Sequence, residues 1–198
     1  MELLSRRPGP RPARRRGWPF RGAWILALGL GFAASRAPAQ PVVAPEYQLK
    51  AVFLYHFAQF IQWPPTAFAD AQAPLIIGVL GKDPFGAALD QTVSGETVDR
   101  HPVRVQRFDR VEEVEACHIL FISRTSAAEL DHILRTLRGR SILTVGDADG
   151  FARAGGMIGF VTEDNRIRFR INLRAARAAH LILSSNLLRP AEIVAAED

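Results

Sequence analysis

Two carboxylates at the end of an apolar run are the first residues in this sequence that could do chemistry. Asp147 and Asp149 follow the apolar residues 141–145, and paired aspartates at such a place can hold Mg²⁺ for phosphoryl transfer. Gly146 separates Asp147 from the run, however, and no second aspartate pair for a metal follows in the chain. The pattern therefore favours a tight turn in which the aspartate side chains bond their own backbone.

The histidines and the single cysteine form no catalytic or metal-binding pattern. No two of the five histidines stand at i, i+2 or i, i+4, and none belongs to an H-E-x-x-H arrangement. Cys117 and His118 are neighbours in an apolar run, and neighbours on a strand point to opposite faces, so they cannot act as a dyad. The G-x-S-x-G elbow of serine hydrolases is also missing. We therefore predict that the protein is not an enzyme and needs no metal or cofactor.

Charged and aromatic side chains indicate where a partner protein could bind. Arg166, Arg168 and Arg170 recur at every second residue, so they share one face of a strand and could meet an acidic surface. The alternative is the solvated face of an edge hairpin, because edge strands commonly carry charge. His56 and Trp63 lie on the less apolar side of the first predicted helix, and an exposed Trp is often a binding anchor. For Trp63 the alternative is packing against the two prolines that follow it.

The first predicted helix spans residues 46–63, and the prolines at 64 and 65 end it. A step of about 100° per residue places its apolar side chains in one wide arc, so the helix should be largely buried. The residues of this arc are Leu49, Ala51, Phe53, Leu54, Phe57, Ala58, Phe60 and Ile61.

Strands and helices alternate after this first helix. Strands are predicted where apolar residues form short runs or alternate, at residues 74–81, 102–108, 117–123 and 141–145. Helices are predicted between and after them, at residues 83–93, 126–137 and 173–179. Residues 157–162 and 166–172 flank a polar tip and predict a hairpin. The pattern predicts an α/β fold, with a mostly parallel central sheet flanked by helices and a C-terminal antiparallel hairpin at its edge.

The N-terminal segment differs in composition from the rest of the chain. Residues 1–39 contain eight Arg and one acidic residue, whereas the remainder has 17 basic and 19 acidic side chains. An Arg-rich start precedes the uncharged residues 22–34, and the small residues Ala37 and Ala39 close the segment. This order is typical of a secretory signal peptide, here cleaved after Ala39. The alternative is an uncleaved anchor, although the apolar stretch is short against the roughly 20 residues that span a membrane.

Cleavage after Ala39 divides the chain into a signal peptide at 1–39, a leader at 40–45, a single α/β domain at 46–190 and a tail at 191–198. The mature protein would then be exported to the periplasm, soluble and slightly acidic. Because the excess of positive charge leaves with the first segment, the basic composition is no argument for nucleic acid, and we expect none as a partner.

The longest motif resembles the opening helix of the YfiR family of periplasmic proteins. Residues 46–64 read EYQLKAVFLYHFAQFIQWP, against a family pattern that runs roughly y-x-v-K-A-x-F-L-Y-n-F-a-k-F-v-x-W-P. Shorter matches follow as IGVLGKDPFG at 77–86, CHILFIS at 117–123, LTVGD at 143–147, GGMI at 155–158 and RFRIN at 168–172. The resemblance covers about residues 46–190, and the W-P end of the helix makes it specific.

The resemblance implies a periplasmic α/β domain without catalytic activity. Relatives in this family repress an inner-membrane diguanylate cyclase by binding its periplasmic region, and an outer-membrane-associated lipoprotein can titrate them away. Exopolysaccharide and biofilm output follow through cyclic di-GMP. A second copy of the chain, in a homodimer, is a further candidate partner. The chain departs from the family at two places: His56 stands where Asn is usual, and Cys117 cannot form the intramolecular disulfides of some relatives.

Two functional hypotheses from different classes follow. The first is a regulatory binding protein that acts on a diguanylate cyclase by protein–protein contact. The second is a periplasmic small-ligand receptor, acting with a transporter or histidine kinase, whose pocket lies at the strand ends near Gly81, Ser123 and Asp147. An enzyme that uses Asp147 and Asp149 is a third reading, which the residues support least.

Overall fold

A computed structural model describes residues 45–196, and in this part of the chain helices and strands alternate. The helices are α1 (Pro45–Phe60), α2 (Ala87–Val93), α3 (Ala127–Thr136), α4 (Leu173–Ala178) and α5 (Ser185–Leu188). The strands are β1 (Ile61–Gln62), β2 (Leu75–Leu80), β3 (Thr97–Val98), β4 (His101–Phe108), β5 (Ile119–Ile122), β6 (Leu143–Gly146), β7 (Ile158–Glu163), β8 (Arg166–Ile171), β9 (Ile182–Leu183) and β10 (Glu192–Ile193). The predicted signal peptide and all but the last residue of the predicted leader lie outside the described residues.

Eight of these strands form the central sheet, in the order β10-β8-β7-β6-β5-β2-β4-β3. The five strands β4, β2, β5, β6 and β7 run parallel, and β8 pairs antiparallel with β7. The prediction of a mostly parallel sheet with an antiparallel C-terminal hairpin is therefore confirmed. The strands β1 and β9 form a separate antiparallel pair that the sequence pattern did not predict. None of the helices in residues 45–196 has the length and apolar character needed to cross a membrane.

The core occupies both faces of the sheet, as expected for apolar runs without alternation. On β2, Ile77 and Val79 belong to the cluster that includes Leu54 and Phe57 of α1. Ile76 and Leu80 point to the other face, where the cluster includes residues of α3. The strand β2 thus lies between two layers of helices, one on each face of the sheet.

Two tight hairpins have positive backbone φ angles at both central residues, the geometry that matches the twist of paired strands. Asp164 and Asn165, at φ 49° and 57°, join β7 to β8 and form the polar tip that the sequence predicts. Asp99 and Arg100, at φ 49° and 74°, join β3 to β4 in a hairpin that the pattern missed. A two-residue strand such as β3 carries no periodicity by which to recognise it.

Helix α1 ends earlier than predicted, and its predicted buried arc is confirmed in most but not all positions. It stops at Phe60 because Ile61 and Gln62 leave the helix to pair with β9. The predicted buried arc was wrong at Leu49, whose side chain is 46% exposed, whereas Lys50 is only 1% exposed. The buried side includes Lys50, Leu54 and Phe57, whereas Phe53 and Phe60 of the predicted arc are only half-buried.

The ends of α2 and α3 show the effect of their capping residues. Ser126 accepts a hydrogen bond from the Glu129 amide and starts α3 as predicted. Asp83 is predicted to cap a helix that begins at Pro84, and its Oδ1 does accept from the amides of Phe85 and Gly86 at 2.7 and 3.2 Å. The predicted start of the helix was nevertheless wrong. Asp83 thus holds a turn, and the helix begins only at Ala87.

Candidate functional site

An apolar groove of about 500 Å³ lies between α1, β8 and α5, next to several of the predicted contact residues. We call it the β8 groove. Its lining residues are Phe53, His56, Phe57, Phe60, Arg166, Ile167, Arg168, Phe169, Asn186, Leu187 and Pro190. Three of the five predicted contact residues, His56, Arg166 and Arg168, therefore lie at one groove.

Aromatic rings fix the helix side of the β8 groove. Phe53 and Phe57 of α1 contact the ring of Phe169 edge-on, with centroids 5.0 and 5.5 Å apart. The rings of His56 and Phe60 are nearly parallel with centroids 6.4 Å apart, and His56 is exposed. Because Phe57 is buried and Phe53 and Phe60 are only half-buried, the groove has a packed floor and an accessible aromatic wall.

The strand side of the groove offers unpaired backbone groups. In an antiparallel pair, residues alternate between those that exchange hydrogen bonds with the partner strand and those that point both groups away. Asn172 N–H donates to Met157 O at the base of the hairpin, which makes this a hydrogen-bonded pair. Hydrogen-bonded and non-hydrogen-bonded pairs alternate along the register from this pair. The N–H and C=O groups therefore point away from β7 at Ile171, Phe169 and Ile167.

Strand β10 covers only the last part of this outer edge. It pairs in parallel with Arg170 and Ile171, and its ladder also occupies the carbonyl of Phe169. Among residues 45–196, no backbone group pairs with Ile167 N–H, Ile167 C=O or Phe169 N–H. The groove is therefore bordered by an open edge of the sheet.

The three predicted arginines differ in how far their charge is neutralised. Arg170 is held by Glu163 at 3.0 Å and by Glu192 at 2.8 Å, and the pKa of Glu192 is lowered by this hydrogen bond. Arg168 lies 3.7 Å from Glu163, a longer and weaker contact. Arg166 is exposed and makes no ion pair with the described residues. Positive charge thus remains beside the groove at Arg166 and Arg168 but is compensated at Arg170.

Trp63 lies apart from the β8 groove. Its indole N–H donates to the carbonyl of His118 at 3.3 Å, and the two rings meet edge-on at 6.0 Å. It borders a different cavity, of about 370 Å³, together with Phe68 and His101. The structure therefore does not bring the two predicted contact residues of the α1 region, His56 and Trp63, to one surface.

A buried charge cluster that the sequence analysis missed fixes the opposite side of α1. Lys50 Nζ lies 2.7 Å from Asp147 Oδ2 and 2.7 Å from Glu46 Oε1, and Tyr47 donates its hydroxyl to the same Asp147 oxygen at 2.8 Å. Burial raises the pKa of Tyr47 to about 12, with a further contribution from this hydrogen bond. The hydrogen bond from Lys50 lowers the pKa of the Glu46 carboxyl.

The loop after β6 turns Asp147 inward. A Cβ on Gly146 would lie 2.5 Å from the ring of Phe151, so only glycine lets the loop close around this buried phenylalanine. Asp149 is exposed, so the two aspartates do not converge as metal ligands, and Asp147 binds Lys50 rather than its own backbone. No group of three His, Cys, Asp or Glu side chains within residues 45–196 could hold a metal ion.

A second, more polar cavity lies at the point where successive parallel strands are added on the other side of β2. β2 is flanked by β4 and β5, which makes the carboxyl ends of β2 and β5 a topological switch point, where doubly wound sheets bind ligands. The cavity holds about 340 Å³, and its lining includes Gly81, Lys82, Ser123 and Arg124. Two of the three residues predicted for a ligand pocket, Gly81 and Ser123, therefore share this cavity, whereas Asp147 is not among its lining residues.

The sequence matches the model of one known protein family. The family described as YfiR/HmsC-like matches residues 47–192. A comparison with curated proteins finds no match. The matched range contains the β8 groove, the Lys50 cluster and the switch-point cavity, and it covers well over half of the sequence. The chain belongs to the YfiR/HmsC-like family.

Proposed function

We propose that the protein is a periplasmic regulatory binding protein that controls a membrane diguanylate cyclase by protein–protein contact. Cyclic di-GMP level, and with it biofilm and exopolysaccharide output, would follow from this contact. Family membership supports the regulatory role. The observation that carries the proposal is the β8 groove, because an accessible aromatic wall beside an open sheet edge suits a protein partner. An outer-membrane-associated lipoprotein that binds the same surface would compete with the cyclase and so release it.

The proposal includes export and removal of residues 1–39. The Arg-rich start, the short apolar stretch and the small residues before Gln40 support it. Mass spectrometry of the periplasmic fraction should find a chain that begins at Gln40. An intact chain from Met1, recovered with the membranes, would contradict this part.

We assign the partner contact to His56, Arg166 and Arg168. His56 presents an exposed ring on the groove wall, and the two arginines keep positive charge beside it. Trp63 and Arg170 are given structural roles instead, because each is held by neighbours within the fold.

The test compares three variants for stability and for capture of the periplasmic region of a diguanylate cyclase from the same genome. Phe57→Ala should lower the free energy of unfolding by about 3–5 kcal/mol, because the side chain is 1% exposed. His56→Ala should change stability by less than about 0.5 kcal/mol yet weaken capture about tenfold. Gln59→Ala, an exposed change on the same helix but outside the groove, is the matched control.

Capture that is equally strong for His56→Ala and Gln59→Ala would move the contact surface away from the β8 groove. If no cyclase region binds the wild-type protein, the regulatory proposal itself is wrong.

A second candidate function is ligand sensing at the switch-point cavity. Lys82 and Arg124 both line this cavity, and within residues 45–196 the one ion-pair partner of Arg124 is the Asp147 carboxylate at 3.7 Å. The lining also contains three carboxylates, those of Asp109, Glu112 and Glu129. Both signs of charge at the carboxyl ends of neighbouring strands suit a small polar ligand that carries groups of both charges. Calorimetry with a panel of amino acids, dicarboxylates and phosphate esters tests it. Binding that Lys82→Ala abolishes would support it, and heat signals equal to those of buffer alone would exclude it.

A further inference from the structure

The open edge of β8 has a cause in the sequence of this chain. Val194, directly after β10, donates its N–H to Ile171 O at 3.0 Å, and a parallel ladder repeats such a bond every two residues. Continued in the same register, residue 190 would donate to the carbonyl of Ile167. Residue 190 is proline and has no N–H, and the chain just before it forms helix α5, so β10 does not extend along the groove.

Resting on the proposed function, we propose that the partner of the β8 groove contributes an extended segment that adds as a strand to β8 beside Ile167. The added strand would take up Ile167 N–H, Ile167 C=O and Phe169 N–H, the three backbone groups of the open edge. This mode gives affinity through main-chain hydrogen bonds and selectivity through alternate side chains.

The two faces of β8 determine the chemistry of the added strand. Ile167 and Phe169 face α1 and the aromatic wall, whereas Arg166 and Arg168 face the opposite side of the sheet. Side chains on a strand alternate between faces, so every second residue of the partner enters the groove and the others meet the arginines. The occupant is therefore a segment in which apolar or aromatic residues alternate with acidic ones.

Charge argues against a second copy of this chain as the occupant. Edge-to-edge pairing of two β8 strands would bring Arg166 and Arg168 of both copies to the same face. Like charges opposite each other on paired strands are destabilising. An acidic partner strand instead gains from the same arrangement, so the heterologous partner is favoured.

The test removes one backbone donor and compares proline with alanine at the same position. Ile167→Pro and Ile167→Ala both lose the isoleucine side chain, but only proline loses the outward N–H. This N–H is not used in the β7–β8 ladder, so the hairpin can tolerate the change. The probe is the same cyclase periplasmic region that tests the proposed function. Ile167→Pro should raise its Kd at least about tenfold above that of Ile167→Ala, and Arg166→Glu should weaken binding by a similar factor.

Hydrogen exchange keeps the test independent of whether the proline variant folds. In the wild-type complex, the amides of Ile167 and Phe169 should exchange at least about tenfold more slowly than in the free protein. Slower exchange at both amides, with the predicted order of Kd values, would support strand addition.

The two proposals fail in different ways. If the wild type captures the cyclase region but Ile167→Pro binds as well as Ile167→Ala and both amides keep their exchange rates, strand addition is wrong and the regulatory function stands. If the wild type captures nothing, both are wrong. A homodimer that forms through β8 in the absence of the cyclase and is abolished by Ile167→Pro would also overturn the inferred partner.

Discussion

Lys50 carries a charge that would be costly in the interior without its two carboxylate partners. Removing an ion from water costs several kcal/mol, and close carboxylates offset that cost. Its ammonium also lies 4.5 Å from the centroid of the Tyr47 ring, a favourable cation–π distance. Asp147 Oδ1 has no hydrogen-bond partner within the described chain, although Arg124 Nε lies 3.7 Å away. Lys50 therefore provides the main compensation for the buried charge of Asp147.

Lys50→Met should lower the free energy of unfolding by about 3–5 kcal/mol, because it leaves the Asp147 carboxylate buried without its cation. The double variant Lys50→Met/Asp147→Leu should be more stable than Lys50→Met alone, since no unpaired charge remains inside. Urea unfolding followed by circular dichroism measures both changes.

Glu46, the exposed carboxylate of the cluster, supplies the control. Glu46→Gln should cost less than about 1 kcal/mol, because the Glu46 side chain is 41% exposed. The single variant Asp147→Leu completes the comparison. If Lys50→Met/Asp147→Leu loses as much stability as Lys50→Met and Asp147→Leu together, the two residues are not coupled, which would contradict a buried ion pair.

The sequence contained half of the information about this cluster. Lys50, Leu54 and Phe57 stand at i, i+4 and i+7, so a lysine in phase with buried residues signals a buried cation. Its partner, 97 residues away, could not be found from spacing, because their contact depends on where the sheet places the end of β6. Trp63 was ambiguous for a similar reason: its hydrogen-bond partner lies 55 residues further on.

At the scale of elements, α1 serves the fold with one side and the groove with the other. The side with Lys50 anchors the helix to the end of β6, and the side with Phe53, His56 and Phe60 forms the groove wall. The periodicity predicted the helix, and the polar tip predicted the hairpin of β7 and β8. Neither pattern specifies that the two elements lie side by side, so the groove could not be predicted from the sequence.

A single imidazole joins the start of β2 to the turn before it. His118 Nδ1 accepts from the Ile76 amide at 3.0 Å, so Nε2 carries the hydrogen and donates to the Ala67 carbonyl at 3.1 Å. Its ring stacks on Phe68 with centroids 4.3 Å apart. Burial lowers the pKa of His118 to about 4 from an ordinary 6.5, because the protonated ring would lose its solvation by water.

Acidification should therefore destabilise the fold through His118. Between about pH 6.5 and pH 4 the unfolded chain takes up a proton at this residue while the folded chain does not, so the free energy of unfolding falls as the pH falls. His118→Asn keeps an acceptor for Ile76 but does not titrate. It should be less stable than the wild type near neutral pH and show a shallower loss across this window.

Urea unfolding at several pH values gives both slopes. His180→Asn is the matched control, because His180 is exposed and its positive φ of 59° suits asparagine. Equal slopes for the wild type and His118→Asn would show that His118 does not cause the acid sensitivity.

At the scale of the whole molecule, the sequence predicted the long elements and missed the short ones. Apolar runs of four or more residues marked β2, β5 and β6, because strands buried on both faces need them. β1, β3, β9 and β10 have two residues each and offer no period to detect. These short strands nevertheless determine which edges stay open, so the architecture could be predicted while the binding edge could not.

The single cysteine reports on whether this architecture unfolds as one unit. Cys117 is 7% exposed, its thiol donates to the Ile119 carbonyl at 3.0 Å, and burial raises its pKa to about 12. It lies against β2 so closely that a Cβ on Gly78 would come within 2.8 Å of its sulfur. The thiol is therefore unreactive in the native state, since a thiolate is the reacting species and the sulfur is covered.

We expect iodoacetamide to label Cys117 only through global unfolding. At about pH 8, labelling rates across a urea series should give the same free energy of unfolding as circular dichroism, because β2 and β5 form the middle of the sheet. Reductant should leave the melting temperature unchanged, as the described chain has a single thiol. Labelling that is fast and independent of urea would instead reveal local opening between β2 and β5, and the domain would then not be one cooperative unit.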